Sequence, residues 1–147
     1  MIASRGFTII ELLVVLVLAG LLLGLAAPRF MAAVPGTELT AAARDLASAA
    51  RQSRAEAISR GHDVVLVVDA QSGEFRAEGT SLRGKLHGDL SLTLDTASVE
   101  VVDTYRAGIR FHSDGSSTGG RVTLRNGERL AVVDVDWLTG RTSVERP

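Results

Sequence analysis

Cysteine is absent from the chain, and its absence excludes several kinds of chemistry. A chain without cysteine has no disulfide framework, no thiolate metal site and no cysteine nucleophile. The absence does not assign a cellular compartment, because it shows only that stability is independent of oxidation.

An excess of charge of one sign is also missing. The 147 residues include 16 basic and 17 acidic side chains, and Lys85 is the only lysine. The resulting net charge of −1 argues against a protein that binds nucleic acid by bulk electrostatics. The length fits one domain, and roughly 110 residues remain for a modest core beyond the apolar N-terminal segment.

Charge is nearly absent from the N-terminal segment itself. Glu11 is the only charged residue between Gly6 and Arg29, and Phe7 to Ala27 is a stretch of 21 residues. At ~1.5 Å rise per residue, a helix of this length spans the ~30 Å hydrocarbon core of a bilayer. A carboxylate at that depth costs roughly 2.5–3.5 kcal/mol, so we expect the chain to use it.

Three interpretations of this segment compete. A secretory signal would be cut after Leu25-Ala26-Ala27, but the apolar region of such a signal is typically about 7–15 residues long. A plain membrane anchor explains the length of the segment but not the presence of Glu11. In the third interpretation the chain is cut after Gly6, and the apolar helix is retained.

The start of the chain resembles a known processing signal. It is the class III signal of type IV prepilins and type II secretion pseudopilins, and the matching residues are Gly6 to Leu16, GFTIIELLVVL. The resemblance implies that a prepilin peptidase cuts between Gly6 and Phe7 and methylates the new amino terminus at Phe7. Glu11 would then be the fifth mature residue, a position that this family reserves for Glu.

The expected role of Glu11 follows from the cost of its charge in lipid. A carboxylate there must be neutralised or must find a cation. After cleavage, Phe7 carries a free α-amino group one helical turn away. The carboxylate of one subunit can pair with the Phe7 ammonium of a staggered neighbour in a filament, and the alternatives are its own amino terminus or protonation.

Beyond the apolar segment the pattern remains helical up to Gly61. Pro28 is expected to kink or break the first helix, and Val34-Pro35-Gly36 is a second and stronger interruption. Thr37 can cap a new helix, and Gly61 can end it. The apolar stripe of this helix consists of Leu39, Ala42, Ala43, Leu46, Ala49, Ala50, Ser53, Ala57 and Ile58.

The remainder reads as antiparallel β-structure. Strands are predicted at 64–68, 74–78, 90–95, 99–105, 109–111, 122–124, 130–137 and 141–144, with a loop at 79–88. The expected fold is α+β and pilin-like, a long N-terminal helix packed on an antiparallel sheet domain of about 7–8 short strands. The expected divisions are a leader at 1–6, a transmembrane and filament-core helix at 7–28, a periplasmic helical part at 29–61 interrupted near 35–36, and a β head at 62–147.

A second resemblance lies in the C-terminal half. The residues Gly108 to Gly120 and Val135 to Arg141, together with the helical stretch Arg54 to Gly61, resemble the GspH/FimT group of minor pilin-like subunits. The type II secretion members usually have Pro at the place of Ser113. This departure concerns only the local geometry of one turn.

The resemblance implies a function in protein secretion. The chain would be a minor pseudopilin, anchored by one span in the bacterial inner membrane with its C-terminal domain in the periplasm, and assembled into a periplasmic pseudopilus. Its expected partners are other pseudopilins through their N-terminal helices, the prepilin peptidase, the membrane and secreted substrate. The alternative is a FimT-like minor type IV pilin used in pilus assembly or DNA uptake, with Arg141 and Arg146 as candidate DNA contacts.

No residues of the sequence predict an enzyme, a cofactor or a metal site. His62, His87 and His112 lack the spacing of metal ligands, and His112, Asp114 and Ser116 do not form a catalytic triad by closeness in sequence alone. The loop from Asp114 to Gly120 is explained by turn chemistry, with an intersubunit contact as a further role.

Two further assignments concern the last strands. Trp137 is expected to be a core or edge anchor rather than a binding platform. Asp134 and Asp136 are expected on one strand face, with Arg125 or Arg129 as cross-strand partners.

Overall fold

The computed structural model describes residues 8–31, 34–96, 103 and 105–145, with the side chains of 22–31 and 34–36 excepted. The chain divides into two compact units, Met1–Val34 and Pro35–Pro147. Gly6, Phe7, Arg146 and most of the strand predicted at 99–105 therefore lie outside the described residues.

The first unit contains helix α1, Ile9–Met31. Thr8 precedes the helix and caps it, because its hydroxyl accepts a hydrogen bond from the Glu11 N–H at 3.3 Å. The helix continues through Pro28, so of the predicted kink or break at that residue, the break is wrong and the kink stays a prediction. A proline inside a helix removes one hydrogen bond without necessarily ending the helix, and the helix here extends for three more residues.

Helix α2, Val34–Arg60, is the only helix of the described second unit. The interruption predicted near residues 35–36 is not found there, because α2 begins at Val34 and places Pro35 and Gly36 in its first turn. Proline is tolerated in a first turn because the N–H that it lacks has no partner within the helix there. The helix ends at Arg60, and Gly61 follows with a φ of 67°, as expected for a glycine stop.

The predicted apolar stripe of α2 is confirmed with one exception. The side chains from Leu39 to Ala57 in that stripe are buried, and Ala47, which the pattern did not include, is fully buried as well. Ile58 is exposed, since it lies in the last turn. Because the buried residues are mainly alanine, the helix can approach the strands closely.

Eight strands follow α2 in the described residues. They are β1 Val64–Asp69, β2 Glu74–Ala77, β3 Arg83–Lys85, β4 Ser91–Thr96, β5 Arg106–Phe111, β6 Gly120–Asn126, β7 Arg129–Val135 and β8 Thr142–Glu145. The predicted strands match these within a few residues, except that β3 lies in the predicted loop at 79–88 and that Asp103 and Tyr105 are in bends.

The strands form two antiparallel sheets of four. One sheet has the order β3-β2-β1-β5 and the other β4-β6-β7-β8. The sheets meet where β4 passes β5, since the Thr96 hydroxyl donates to the Gly108 carbonyl at 2.8 Å. An isolated bridge between Phe111 and Ser117 adds to this junction. The two outermost strands are consequently β3 and β8.

The core lies between α2 and the inner faces of both sheets. Its largest fully buried side chains include Phe111, Leu46, Leu66 and Leu124. The inner residues of each strand alternate with exposed ones, as in the pattern of β6 and β7. The α+β class and the antiparallel sheets are thus as the sequence predicts.

Candidate functional site

The first turn of α1 places Glu11 at the positive end of the helix. Glu11 is the third residue of α1, and its main-chain N–H donates to the Thr8 hydroxyl. The positive end of a helix stabilises a nearby carboxylate. The predicted cleavage site between Gly6 and Phe7, and therefore the predicted Phe7 amine, lies outside the described residues.

The side chains of α1 that the structure describes are exposed. The exposed fraction of the large apolar residues between Ile9 and Leu21 ranges from 52% at Val15 to 82% at Ile9. Such a continuous apolar surface is covered in a working protein by lipid or by another chain. Within the described residues, no helix meets the length and hydropathy expected of a membrane span.

In the head, three residues from distant parts of the chain form one junction. The Arg54 guanidinium in α2 donates from Nε to the Gly115 carbonyl at 2.8 Å. A Cβ at Gly140 would lie 2.8 Å from the same Nε and would collide with the Gly115 carbonyl oxygen. Both glycines have positive φ, 87° and 62°, so only glycine permits this close approach without strain.

Hydrogen bonds of Ser117 also join the two segments that resemble the GspH/FimT group. Ser117 is buried, its N–H donates to the Trp137 carbonyl at 2.9 Å, and its hydroxyl donates to the Asp136 carbonyl at 3.1 Å. The Gly119 N–H donates to the same hydroxyl at 3.0 Å. The loop of residues 112–119 and the turn of residues 136–140 are therefore tied together by hydrogen bonds.

The turn of residues 136–140, here called the Trp137 turn, is held by Asp136. Its carboxylate accepts hydrogen bonds from the Thr139 hydroxyl at 2.7 Å and the Thr139 N–H at 2.8 Å. These bonds, with the nearby charge of Arg141, hold the pKa of Asp136 below its usual value. The Gly140 N–H donates to the Asp136 carbonyl and closes the turn.

The Trp137 turn presents two large apolar side chains to its surroundings. Trp137 is 65% exposed and Leu138 is 62% exposed. The assignment of Trp137 as a core or edge anchor is therefore wrong. Asp136 and Gly140 make the hydrogen bonds that close the turn, and the Trp137 indole between them is exposed. A rigid exposed aromatic residue is a common feature of protein contact surfaces.

The side chains of His112, Asp114 and Ser116 make the following contacts. The His112 Nδ1 lies 2.9 Å from a carboxylate oxygen of Asp63, and the main-chain N–H of His112 donates to the Ser116 carbonyl at 2.9 Å. The Ser116 hydroxyl donates to Asp114 at 2.6 Å, and this bond lowers the pKa of Asp114. Among the described residues, no cluster of three or more acidic or histidine side chains has the arrangement of a metal site.

The predicted partner of Asp134 is corrected by the strand register. Asp134 pairs with Arg121 on the adjacent strand, with 3.0 Å between the carboxylate and Nε, rather than with Arg125 or Arg129. Asp136 lies beyond β7 in the turn. Of the candidate DNA contacts, Arg141 lies close to Asp136, and Arg146 falls in the part of the chain that the structure does not describe.

An open groove of about 890 Å³ lies beside β2 and β3. Its lining contains both signs of charge, with Asp69, Glu74 and Glu78 against Arg76, Arg83, Lys85 and Arg106. A mixed lining of this kind does not select a charged ligand of one sign.

Sequence reasoning missed the junction of Arg54 with Gly115 and Gly140, and the cap at Thr8. The signal for the cap was present, because Thr8 and Glu11 have the spacing of a capping box. No local signal pairs Arg54 with Gly115, since 61 positions separate them along the chain.

Comparison with known proteins adds two matching families. The family model for type II transport protein GspH matches residues 42–139, which include most of α2 and the strands up to β7. The model for the prokaryotic N-terminal methylation motif matches residues 1–27.

Individual relatives agree with these matches. Type II secretion system protein H of Xanthomonas campestris pv. campestris is 34% identical over 140 residues, which are 92% of this chain and 80% of that protein. Two solved structures share the fold. The type IV minor pilin FimU of Pseudomonas aeruginosa has a TM-score of 0.58 at 15% identity, covering 76% of this chain and 93% of FimU.

The second structure is the minor pseudopilin EpsH from the type 2 secretion system of Vibrio cholerae. Its TM-score is 0.58 at 14% identity, and the match covers 75% of this chain and 98% of EpsH. At these identities the two structures show the fold alone.

Proposed function

The chain belongs to the GspH family of type II transport proteins and has the role of a minor pseudopilin, and we propose how its segments serve that role. The family match over the head is the observation that carries this role. Members of this family are structural subunits, which implies a role other than catalysis. Residues 1–6 are a leader, residues 7–28 are the membrane and filament-core helix, and the head recognises other subunits.

The leader is removed between Gly6 and Phe7, and the new amino terminus at Phe7 is methylated. The match of residues 1–27 to the methylation motif supports this processing. Prepilin peptidase is consequently one partner of the chain. The alternative cuts, none at all or after Ala27, would leave Glu11 without a nearby amine or would remove the helix.

The apolar helix occupies one of two environments, the lipid of the membrane or the interior of the pseudopilus. Before assembly it is stored in the inner membrane, where lipid covers its side chains. In the pseudopilus the equivalent surfaces of neighbouring subunits cover them instead. Because apolar contacts in lipid and in the filament are similar in energy, helix packing and polar pairs decide the direction of the exchange.

Glu11 supplies such a polar pair. In the assembled state its carboxylate meets the Phe7 ammonium of a neighbouring subunit, which sets the axial register of the two helices. The position of Glu11 in the first turn of α1 supports this pairing, since only four positions along the chain separate Glu11 from the proposed terminus at Phe7. A lone carboxylate without this partner would carry its full cost in lipid.

Replacement of Glu11 tests the proposal. We expect Glu11→Leu to insert into the membrane but to co-purify with the other pseudopilins at least about 10-fold less, which corresponds to about 1.4 kcal/mol of lost pairing. The control is Leu12→Ile, which leaves the carboxylate in place and should co-purify normally. Equal recovery of partner pseudopilins with Glu11→Leu and the wild type would contradict the assembly pair.

The head acts in recognition of neighbouring pseudopilins and of secreted substrate. The exposed Trp137 and Leu138, fixed by hydrogen bonds on the Trp137 turn, support a contact role. The function in DNA uptake has no comparable support. The head would need a basic surface, and the charges that surround Arg141 include Asp136.

A further inference from the structure

Each sheet has one end strand away from the place where β4 meets β5, and these two edges, β3 and β8, differ in side chains. Strand β3 ends one sheet and β8 ends the other, and no other strand of the described residues pairs along their outer sides. Unpaired edges of this kind can add a strand from another chain, and charged side chains commonly prevent it. A second copy of the same strand would therefore meet different side chains at the two edges.

The main-chain groups of β8 alternate in direction. Antiparallel pairs alternate between hydrogen-bonded and non-hydrogen-bonded positions. The Asp136 N–H donates to the Arg141 carbonyl at 2.9 Å, so this pair is hydrogen-bonded and the pair of Asp134 with Ser143 is hydrogen-bonded as well. The main-chain N–H and C=O groups of Thr142 and Val144 consequently point away from β7, towards the open edge.

A second β8 can use all four of these groups in one antiparallel register. In that register Thr142 of each copy pairs with Val144 of the other, and Ser143 lies opposite Ser143 on the two-fold axis. Arg141 then lies opposite Glu145 of the second copy. Arg141, Ser143 and Glu145 are exposed and alternate with the half-buried Thr142 and Val144, so the opposite charges face each other on one side of the sheet.

At the β3 edge, by contrast, pairing with a second copy would bring like charges together. An antiparallel pairing of β3 with a second β3 about Gly84 places Arg83 opposite Lys85 of the other copy. Arg83 and Lys85 are both exposed, so this arrangement contains two repulsive pairs, each of one Arg83 and one Lys85. The β3 edge is thereby protected against self-association, whereas the β8 edge is not.

Strand β8 also contains a polar atom without a partner. The Oγ1 of Thr142 is buried and makes no hydrogen bond in the described part of the chain. Buried hydroxyls without a partner are uncommon in complete structures. The atom lies on the strand whose outer edge is open.

We propose that β8 is a homotypic docking edge, at which two copies of this chain join their four-stranded sheets into one eight-stranded sheet. The contact is self-complementary in main-chain hydrogen bonds and in charge. Because a short edge makes few contacts, the dimer forms mainly where the subunits are concentrated, as they are on a shared membrane or micelle. The register of the contact is argued from the head alone, whereas the concentration of subunits on a membrane or micelle rests on the anchoring helix of the proposed function.

Cysteine cross-linking tests the two-fold register directly, since the chain contains no cysteine of its own. The full chain in detergent micelles is examined as Ser143→Cys, with Ser81→Cys, another exposed serine, as the matched control. Under mild oxidation we expect a disulfide-linked homodimer from Ser143→Cys at least about 10-fold faster than from Ser81→Cys, because facing residues of an antiparallel pair lie within disulfide distance. Equal rates would overturn the proposal.

Charge reversal provides an independent measurement in the Ser143→Cys background. We expect Arg141→Glu and Glu145→Arg each to slow cross-linking about 10-fold, because two attractive pairs become repulsive. The double variant restores the pairs with reversed sign and should recover the original rate. A double variant that cross-links as slowly as the single variants would overturn the register. The same oxidation can be applied to cells that produce Ser143→Cys, and a disulfide to a different protein in place of a second copy would also overturn the proposal.

Discussion

At the scale of single residues, glycine decides how the head presents its contact surface. Arg54 reaches from α2 to the Gly115 carbonyl, and the space beside it exists because Gly140 has no side chain. The positive φ of both glycines belongs to the left-handed region, which costs other residues roughly 1–2 kcal/mol. These positions hold the Trp137 turn against the helix.

Substitution of Gly140 should therefore destabilise the head strongly. A Cβ at this position would collide with the main-chain Gly115 carbonyl, in addition to the cost of positive φ. The control is Gly127→Ala, which has a φ of 58° but meets nothing within 4 Å. We expect Gly127→Ala to lower the Tm of the full chain by ~4–8 °C and Gly140→Ala to lower it by at least twice as much.

Thermal unfolding followed by circular dichroism measures this difference, and Trp137 offers a second signal because it is the only tryptophan. Similar melting temperatures for the two variants would show that the Gly140 position tolerates a side chain. The junction of Arg54 with Gly115 would then not be tightly packed.

At the scale of elements, α2 depends on small side chains. Its buried face is mostly alanine, with Leu39 and Leu46 as the large exceptions. Alanine side chains are short, so the residues that pack against this face of the helix leave little room for a larger side chain. A larger side chain has no space to occupy unless the helix moves.

Ala47→Leu should consequently cost about 1–3 kcal/mol of the free energy of unfolding, as overpacking typically does. Ala41→Leu is the matched control, because Ala41 lies on the exposed face of the same helix and its substitution should change stability by less than about 0.5 kcal/mol. Denaturant titration of the full chain would measure both. Equal effects of the two substitutions would contradict the described orientation of α2.

The elements also show which parts of the fold sequence reasoning can predict. Hairpins with strong turn signals, such as the one at Asn126-Gly127, were predicted because local chemistry determines them. Strand β3 was not, since three residues with a central glycine and two charges lack any β pattern, and pairing with β2 stabilises them. The start of α2 was misplaced because a proline in the sequence is compatible both with the end of one helix and with the first turn of the next.

The contact surface was less predictable than the fold. The resemblance indicated which segments matter, but the exposure of Trp137 and the pairing of Asp134 with Arg121 depend on turn geometry and strand register. Both are properties of contacts between distant residues. Sequence periodicity reports burial on one element and does not report which residues of two elements meet.

At the scale of the whole molecule, two compact units divide the work of a minor pseudopilin. The first unit contains an exposed apolar helix with one carboxylate near its start, and the second contains a packed head with the hydrogen-bonded, exposed Trp137 turn. In the function that we propose, storage in the membrane uses the helix and recognition uses the head. Processing at Gly6 is proposed to create the amine with which the carboxylate pairs.

The mass of the mature protein tests this account most directly. The chain is produced in a host with an active prepilin peptidase, extracted from the membrane and examined by intact mass and N-terminal peptide analysis. We predict a protein that begins at Phe7 and carries one methyl group on its amino terminus. A protein that retains Met1, or one that begins at Pro28, would contradict the account.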